Sequence, residues 1–156
     1  MQFFNFAFLA LAATALAAPL ADQTPNPTPN ELAERALGIN CRGSEVSAGA
    51  GTGGHSLGAL AGLISEKLDM NRAYKSGEHI ACSGTKSSTG LCIFPQSLKV
   101  ELKGQHIKDL LNRLMAHGCK TCGSVPVDAP NSNNPANGIL TSNWVGNTGG
   151  CNGMCK

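Results

Sequence analysis

The chain has 156 residues, with 12 lysines and arginines against 10 aspartates and glutamates, a net charge of +2. So mild a balance gives no charge argument for nucleic acid, and 14% charged residues with 19 glycines fit neither a coiled coil nor a charge-driven disordered chain. Phe3, Phe4, Phe6 and Phe8 crowd the first eight residues, leaving Tyr74, Phe94 and Trp144 for the rest, too few rings for a base- or sugar-stacking surface.

The run from Phe3 to Ala18 is uncharged and mostly apolar, and Ala15-Leu16-Ala17 offers the small residues that a signal peptidase accepts. This predicts a signal peptide over residues 1–17, since cutting after Ala18 would leave Pro19 first; the n-region carries no Lys or Arg. The run is shorter than the ~20 residues a membrane span needs, and no basic stop follows. Residues 18–35, with Pro19, Pro25, Pro27 and Pro29 among polar residues, read as an extended linker or a pro-segment ending at Arg35. Its one Arg against Asp22, Glu31 and Glu34 makes −2, so residues 36–156, with 11 basic and 7 acidic residues, carry +4. The expectation is one exported, moderately basic domain over 36–156.

Within it, Ile39–Arg42 reads as the start of a sheet. Gly49-Ala50-Gly51-Thr52-Gly53-Gly54 has the spacing G-x-G-x-x-G, but no buried strand precedes it, so an entry loop and not a dinucleotide site is expected. Leu57, Leu60, Ala61, Ile64 and Leu68 mark one face of a helix over His55–Asn71. Gly54, Gly58 and Gly62 on a neighbouring face suggest close packing on a sheet or helix. His79–Ser83 and Leu91–Gln96 read as short strands, and Leu98, Val100 and Leu102 alternate with Lys99, Glu101 and Lys103 as another. Ile107, Leu110, Leu111 and Leu114 define a second helix over Gln105–His117, stopped by Gly118. Thr121–Val127 reads as a strand and Asp128–Asn137 as a polar loop. Asn137-Gly138 reads as a turn and Ile139–Val145 as a last strand carrying Trp144. The order implies an α+β fold with both helices on one antiparallel sheet.

All seven cysteines, Cys41, Cys82, Cys92, Cys119, Cys122, Cys151 and Cys155, lie in this domain, and export makes disulfides their default state. An odd count allows three bridges at most and leaves one thiol. Cys119-Lys120-Thr121-Cys122 has metal-ligand or redox spacing, with Cys151 and Cys155 as the only loose second pair for zinc. A redox pair wants its first Cys at a helix N-terminus, whereas this one follows a helix. Separate bridging of the two thiols is favoured, with no metal and no cofactor. His55, His79, His106 and His117 would have to converge with one another or with a carboxylate to hydrolyse anything. Glu78-His79 is the only adjacent acid–histidine pair, and neighbours on a strand face opposite ways. Neither G-x-S-x-G nor H-E-x-x-H occurs. Surface histidines and no catalytic set are expected.

Three stretches in order, Leu37-Gly38-Ile39-Asn40-Cys41-Arg42-Gly43-Ser44, His117-Gly118-Cys119-Lys120-Thr121-Cys122-Gly123-Ser124-Val125-Pro126 and Gly138-Ile139-Leu140-Thr141-Ser142-Asn143-Trp144-Val145, resemble the fungal killer-toxin family typified by the virally encoded Kp-four toxin of a smut fungus. Glu78-His79-Ile80-Ala81-Cys82 and Gly90-Leu91-Cys92-Ile93-Phe94 look like its cellular fungal members. The resemblance spans essentially all of 37–155. It implies an α/β sandwich, a five-stranded antiparallel sheet with two antiparallel helices, in a secreted, disulfide-bonded, non-enzymatic protein. It further implies inhibition of susceptible fungi through a membrane target such as a calcium channel, or a role in fungal competition or plant interaction.

The family topology would pair Cys41 with Cys119. Ser47 stands where the archetype has the partner of the second Cys of the motif, which leaves Cys122 as the free thiol. Cys82, Cys92, Cys151 and Cys155 would form two bridges of open connectivity. The archetype's basic run before the Cys matching Cys82 is replaced here by Glu78-His79-Ile80-Ala81. Lys75 and Lys86 are then the nearest cations and the candidate target contacts, since a channel blocker presents a cation to the pore mouth. The expected form is a monomer, with an effector or cell-wall interaction protein on the same scaffold as the alternative.

Overall fold

The computed structural model describes residues 38–44 and 54–156. The expected signal peptide, the Pro-rich segment, Ser47 and all of the G-x-G-x-x-G motif but Gly54 lie outside the described residues.

Helix α1 spans Leu57–Lys67 and buries Leu57, Leu60, Ala61 and Ile64. Ser56 caps it, its hydroxyl accepting from the Ala59 N–H at 3.1 Å. It is shorter at both ends than the predicted His55–Asn71. Leu68 turns to an extended conformation, and the Asp69 carboxylate accepts from the Asn71 N–H at 2.9 Å, a local bond that competes with another helical turn. The predicted packing role of the glycine stripe is not met. Gly58 and Gly62 face solvent, and no atom lies within 4 Å of a Cβ added at either or at Gly54.

Strand β1 (Ala73–Tyr74) pairs antiparallel with β4 (Leu102–Lys103) in a two-stranded ribbon. The main sheet contains β2 (Ala81–Gly84), β3 (Gly90–Gln96), β5 (Gly123–Pro126), β6 (Ile139–Val145) and β7 (Gly153–Met154), all antiparallel in the order β5-β6-β3-β2-β7. Helix α2 spans Gly104–Ala116 and buries Ile107, Leu110, Leu111 and Leu114. It has no side-chain cap. Its first amides are satisfied by backbone instead, Gly104 N–H donating to the Arg72 carbonyl and Gln105 N–H to that of Met70.

The predicted strand over Leu98–Lys103 is a correction, because only Leu102 and Lys103 are paired. Ser97 takes a φ of 53° and turns the chain out of β3. The Leu98 N–H then goes to the Ser76 hydroxyl and the Lys99 N–H to the Asn137 carbonyl. The alternation puts Val100 in solvent, 80% exposed, instead of on a sheet. The predicted starting strand at Ile39–Arg42 is a single bridge, Asn40 to Ser124. The predicted strand at His79 begins at Ala81. The fifth member of the sheet is β7, which no periodicity announced. Gly138, at the predicted turn, has φ 116°, and a Cβ there would stand 2.8 Å from a methyl of Leu98, so the turn is built for glycine.

Alternation along β3 separates two layers. Leu91 and Ile93 join Ala81, Val125, Leu140 and the helix residues in the main core, while Cys82, Cys92 and Phe94 form a small cluster on the outer face. The molecule is therefore a helix pair over one sheet face, with a thin sulfur-rich layer on the other.

Candidate functional site

Each cysteine has a fixed place. Helix α2 ends in a Schellman motif: Gly118, at φ 98°, donates to the Met115 carbonyl, and Cys119 to that of Leu114. This turns Cys119 back toward residues 38–44, where its sulfur bonds Cys41 at 2.04 Å. Cys122, three residues on, is buried and free. The carbonyls between them are engaged as well, Lys120 accepting from the Leu57 N–H and Thr121 from the Ser142 hydroxyl. The two thiols of the Cys-x-x-Cys therefore meet different fates, and the segment ties the start of α1 to β6.

Cys82 and Cys92 lie opposite each other on β2 and β3 and are bridged; Cys151 and Cys155 are bridged across a separation of 4 residues. The Cys155 sulfur stands 3.8 Å from that of Cys82. A groove of about 570 Å³ runs over this cluster, lined by His79, Cys151, Asn152 and Cys155 among others.

The two candidate contact lysines are not brought together. Lys86 lies exposed in the β2–β3 turn. Lys75 lies near the other end of that hairpin, where the Gly77 N–H bonds the Pro95 carbonyl; β3 alone separates these ends by roughly 20 Å. Lys75 gains neighbours that the sequence did not single out for contact. Lys75, Ser76, Leu98, Lys99, Val100 and Glu101 line a cleft of about 330 Å³. The segment Lys99–Glu101 also walls a second cleft of about 420 Å³ that reaches Leu102, His106 and Asp128. Among the described residues Val100 is the only large exposed hydrophobic. It stands on a ridge between two clefts, with Lys99 and Glu101 on either side of it in the chain and Lys75, 3.8 Å from the Glu101 carboxylate, across one cleft.

Glu78, at the place of the missing basic run, is occupied locally. Its carboxylate accepts from the Lys75 N–H and pairs with the Arg72 guanidinium at 2.5 Å, and Arg72 lies 4.6 Å over the Tyr74 ring. Burial pushes the Glu78 carboxyl up, but the Lys75 amide and Arg72 outweigh it and hold the group below its ordinary 4.5. A depressed carboxyl adds stability that is complete above pH 4.5 and lost as pH falls through the lower folded value. We expect Glu78→Gln to be less stable than the parent at pH 7, with the difference closing on acidification. Melting temperatures between pH 7 and pH 3 check this, and a difference that is constant with pH contradicts it.

The histidines do not converge. His55 bonds the Ser83 hydroxyl through Nδ1 at 2.7 Å and packs edge-on to Trp144. His79 packs edge-on to Phe94, with Nδ1 3.4 Å from the Thr148 carbonyl. Both are half-buried, which corrects the expectation of four surface histidines, whereas His106 and His117 are exposed. Neither Glu78 nor His79 lies in a strand, so their separation comes from different partners and not from strand alternation. Among the described residues no helix is long and apolar enough to cross a membrane.

No curated protein matches the chain. The Kp4 family model matches residues 30–146, which include both bridging partners Cys41 and Cys119, the Cys82–Cys92 pair and the ridge at Val100, and stop short of β7 and the Cys151–Cys155 bridge. The match covers most of the chain and agrees with an α+β fold held by three disulfides: the protein belongs to the Kp4 family.

Proposed function

We propose that this protein is a secreted killer-toxin-like inhibitor of competing fungi, or of a host cell, that acts by binding a membrane protein such as a calcium channel and not by catalysis. Membership of the Kp4 family carries the reading. The ridge supports it, and in this reading it is the contact face: Val100 would be an apolar knob, with Lys75 and Lys99 supplying the cations that a pore mouth or an anionic surface attracts. The Lys75 side chain is 77% exposed, and its pairing with Glu101 at 3.8 Å is too open to neutralise it. Lys86, exposed at the far end of the hairpin, lies away from this ridge, and this reading gives it the smaller share of the contact.

A second reading, an effector or cell-wall interaction protein without channel block, is favoured by one observation. Glu78 is locked to Arg72 and the Lys75 amide where the family archetype carries cations.

Growth inhibition by the purified oxidised protein, with and without excess external calcium, separates the two. Inhibition relieved by calcium supports the channel reading. We then expect Lys75→Ala combined with Val100→Ser to raise the half-inhibitory dose about tenfold or more, and Lys86→Ala to change it little. No inhibition across a panel of fungi and plant roots favours the second reading.

A further inference from the structure

The first described residues lie beside a cleft with apolar walls. Asn40 and Ser124 exchange both backbone hydrogen bonds, at 3.0 and 2.8 Å, in an antiparallel bridge. This register sets Gly38 opposite Pro126, and a Cβ on Gly38 would stand 2.8 Å from the Pro126 ring and collide with the Asn133 carbonyl. Val127 and Asp128, the next two residues after Pro126, line the cleft of about 420 Å³, together with Lys99, Val100, Leu102 and His106 among others. The chain ahead of Gly38 therefore starts next to this cleft and to Val100, 80% exposed on its rim.

The sequence just ahead of Gly38 has the chemistry to fill it. In Glu31-Leu32-Ala33-Glu34-Arg35-Ala36-Leu37, the residues Leu32, Ala33, Ala36 and Leu37 share one face at helical spacing, with Glu34 and Arg35 on its two flanks. The cleft answers this pattern. Val100, Leu102 and Val127 are its apolar part, and Lys99 is a cation with no ion pair among the described residues. Asp128 is a carboxylate two residues from the Pro126 that Gly38 touches, while Glu101, the other carboxylate here, faces Lys75 at 3.8 Å. Residues 18–35 carry −2 against +4 for the rest, so the two attract. Seven residues at helical rise span about 10 Å, the scale of a cleft of this volume. Residues 31–37 also lie inside the family match, which begins at residue 30.

We propose that residues 31–37 dock in this cleft as an internal cap, with Leu32 beside Val100, Glu34 at Lys99 and Arg35 at Asp128, and that the cap covers the Val100 ridge. A tether this short gives the segment a millimolar effective concentration at the cleft, so a weak contact keeps it seated. The consequence for activity rests on the ridge being the contact face; on that reading the chain carries its own inhibitor. Hydrolysis of the Arg35–Ala36 bond by an Arg-specific endoprotease, with one water supplying the new Arg35 carboxylate and Ala36 amine, detaches Leu32, Glu34 and Arg35. Their binding becomes bimolecular and is lost on dilution. While it is seated, the cap shields the bond whose cleavage releases it.

The test uses the chain purified with residues 18–37 attached and its three disulfides intact. The expected result is nuclear Overhauser contacts between the Leu32 methyls and those of Val100, Leu102 or Val127, with slow cleavage after Arg35 by an Arg-specific endoprotease. Val100→Asp, a change at an exposed position that leaves the core alone, is expected to remove the contacts and to speed that cleavage about tenfold or more, whereas Lys86→Ala changes neither. Lys99→Glu is expected to remove the contacts, and Glu34→Lys combined with Lys99→Glu to restore them. Absence of the contacts from the parent chain overturns the proposal, and so does cleavage at one rate in the parent and in Val100→Asp. Contacts found only between chains, in a mixture of two differently isotope-labelled samples, overturn it too, because the occupant is then a second copy. A double variant that fails to regain the contacts overturns the pairing of Glu34 with Lys99. None of these readouts uses growth inhibition, so the cap and the functional reading fail separately.

Discussion

Replacing Cys41 by Ser together with Cys119 by Ala is expected to lower the unfolding free energy by about 4.5 kcal/mol, the largest loss among the three bridges. The bridge joins residues 78 apart in sequence, against 10 for Cys82–Cys92 and 4 for Cys151–Cys155. Loop-closure entropy grows with the logarithm of that separation, which gives about 4.5, about 2.7 and about 1.9 kcal/mol. Changing both partners avoids leaving a second buried thiol beside Cys122. The bridge also anchors the described segment 38–44, alongside two backbone bonds and a side-chain bond between Asn40 and Ser124, the Ser44 N–H on the Asn143 side chain, and the packing of Ile39 on the main core. Urea unfolding followed at Trp144 measures the loss. Alkylation of Cys122, 3% exposed in the folded protein, should accelerate in the variant because its thiol reacts only after opening. A loss no larger than that from removing Cys151–Cys155 would mean that segment 38–44 is not part of the cooperative unit.

The parts legible in the sequence were those whose periodicity is local. Leu57 to Ile64 and Ile107 to Leu114 recur on one helical face and are buried as that pattern requires. Ile139–Val145 is a strand at its predicted bounds. The failures have a common cause, tertiary pairing that overrides or supplies a local pattern. Leu98 to Leu102 alternate well enough for a strand, yet Ser97 turns the chain and the amides go to Ser76 and Asn137. Strand β7 has two residues and no pattern of its own; its place comes from Ala81 and Cys82. Without β7 the approach of Cys155 to Cys82 could not be foreseen. The site suffered in the same way. Lys75 and Lys86 are both near Cys82 in sequence, but they flank it in opposite directions along a hairpin, so nearness in the chain became separation in space. The Val100 ridge was hidden by the mistaken strand.

Ile93→Ala is expected to cost more than Phe94→Ala, although phenylalanine is the larger side chain. Ile93 is fully buried on the face that carries both helices, in contact with a core that includes Leu57, Ile64, Leu110 and Leu140. A cavity there is enclosed by elements that cannot collapse into it, so the loss should be about 4 kcal/mol. Phe94 faces the other way, into a cluster of Cys82 and Cys92 flanked by Val145, Cys151 and Cys155, with the His79 ring edge-on to it. That layer is one side chain thick, and His79 already borders an open groove. The imidazole can follow the vacated space and water can enter behind it, so the loss should be about 2 kcal/mol, below the usual range for a buried phenylalanine. Urea unfolding of the two variants under oxidising conditions gives the comparison. Equal losses would mean that the outer layer is as rigid as the main core.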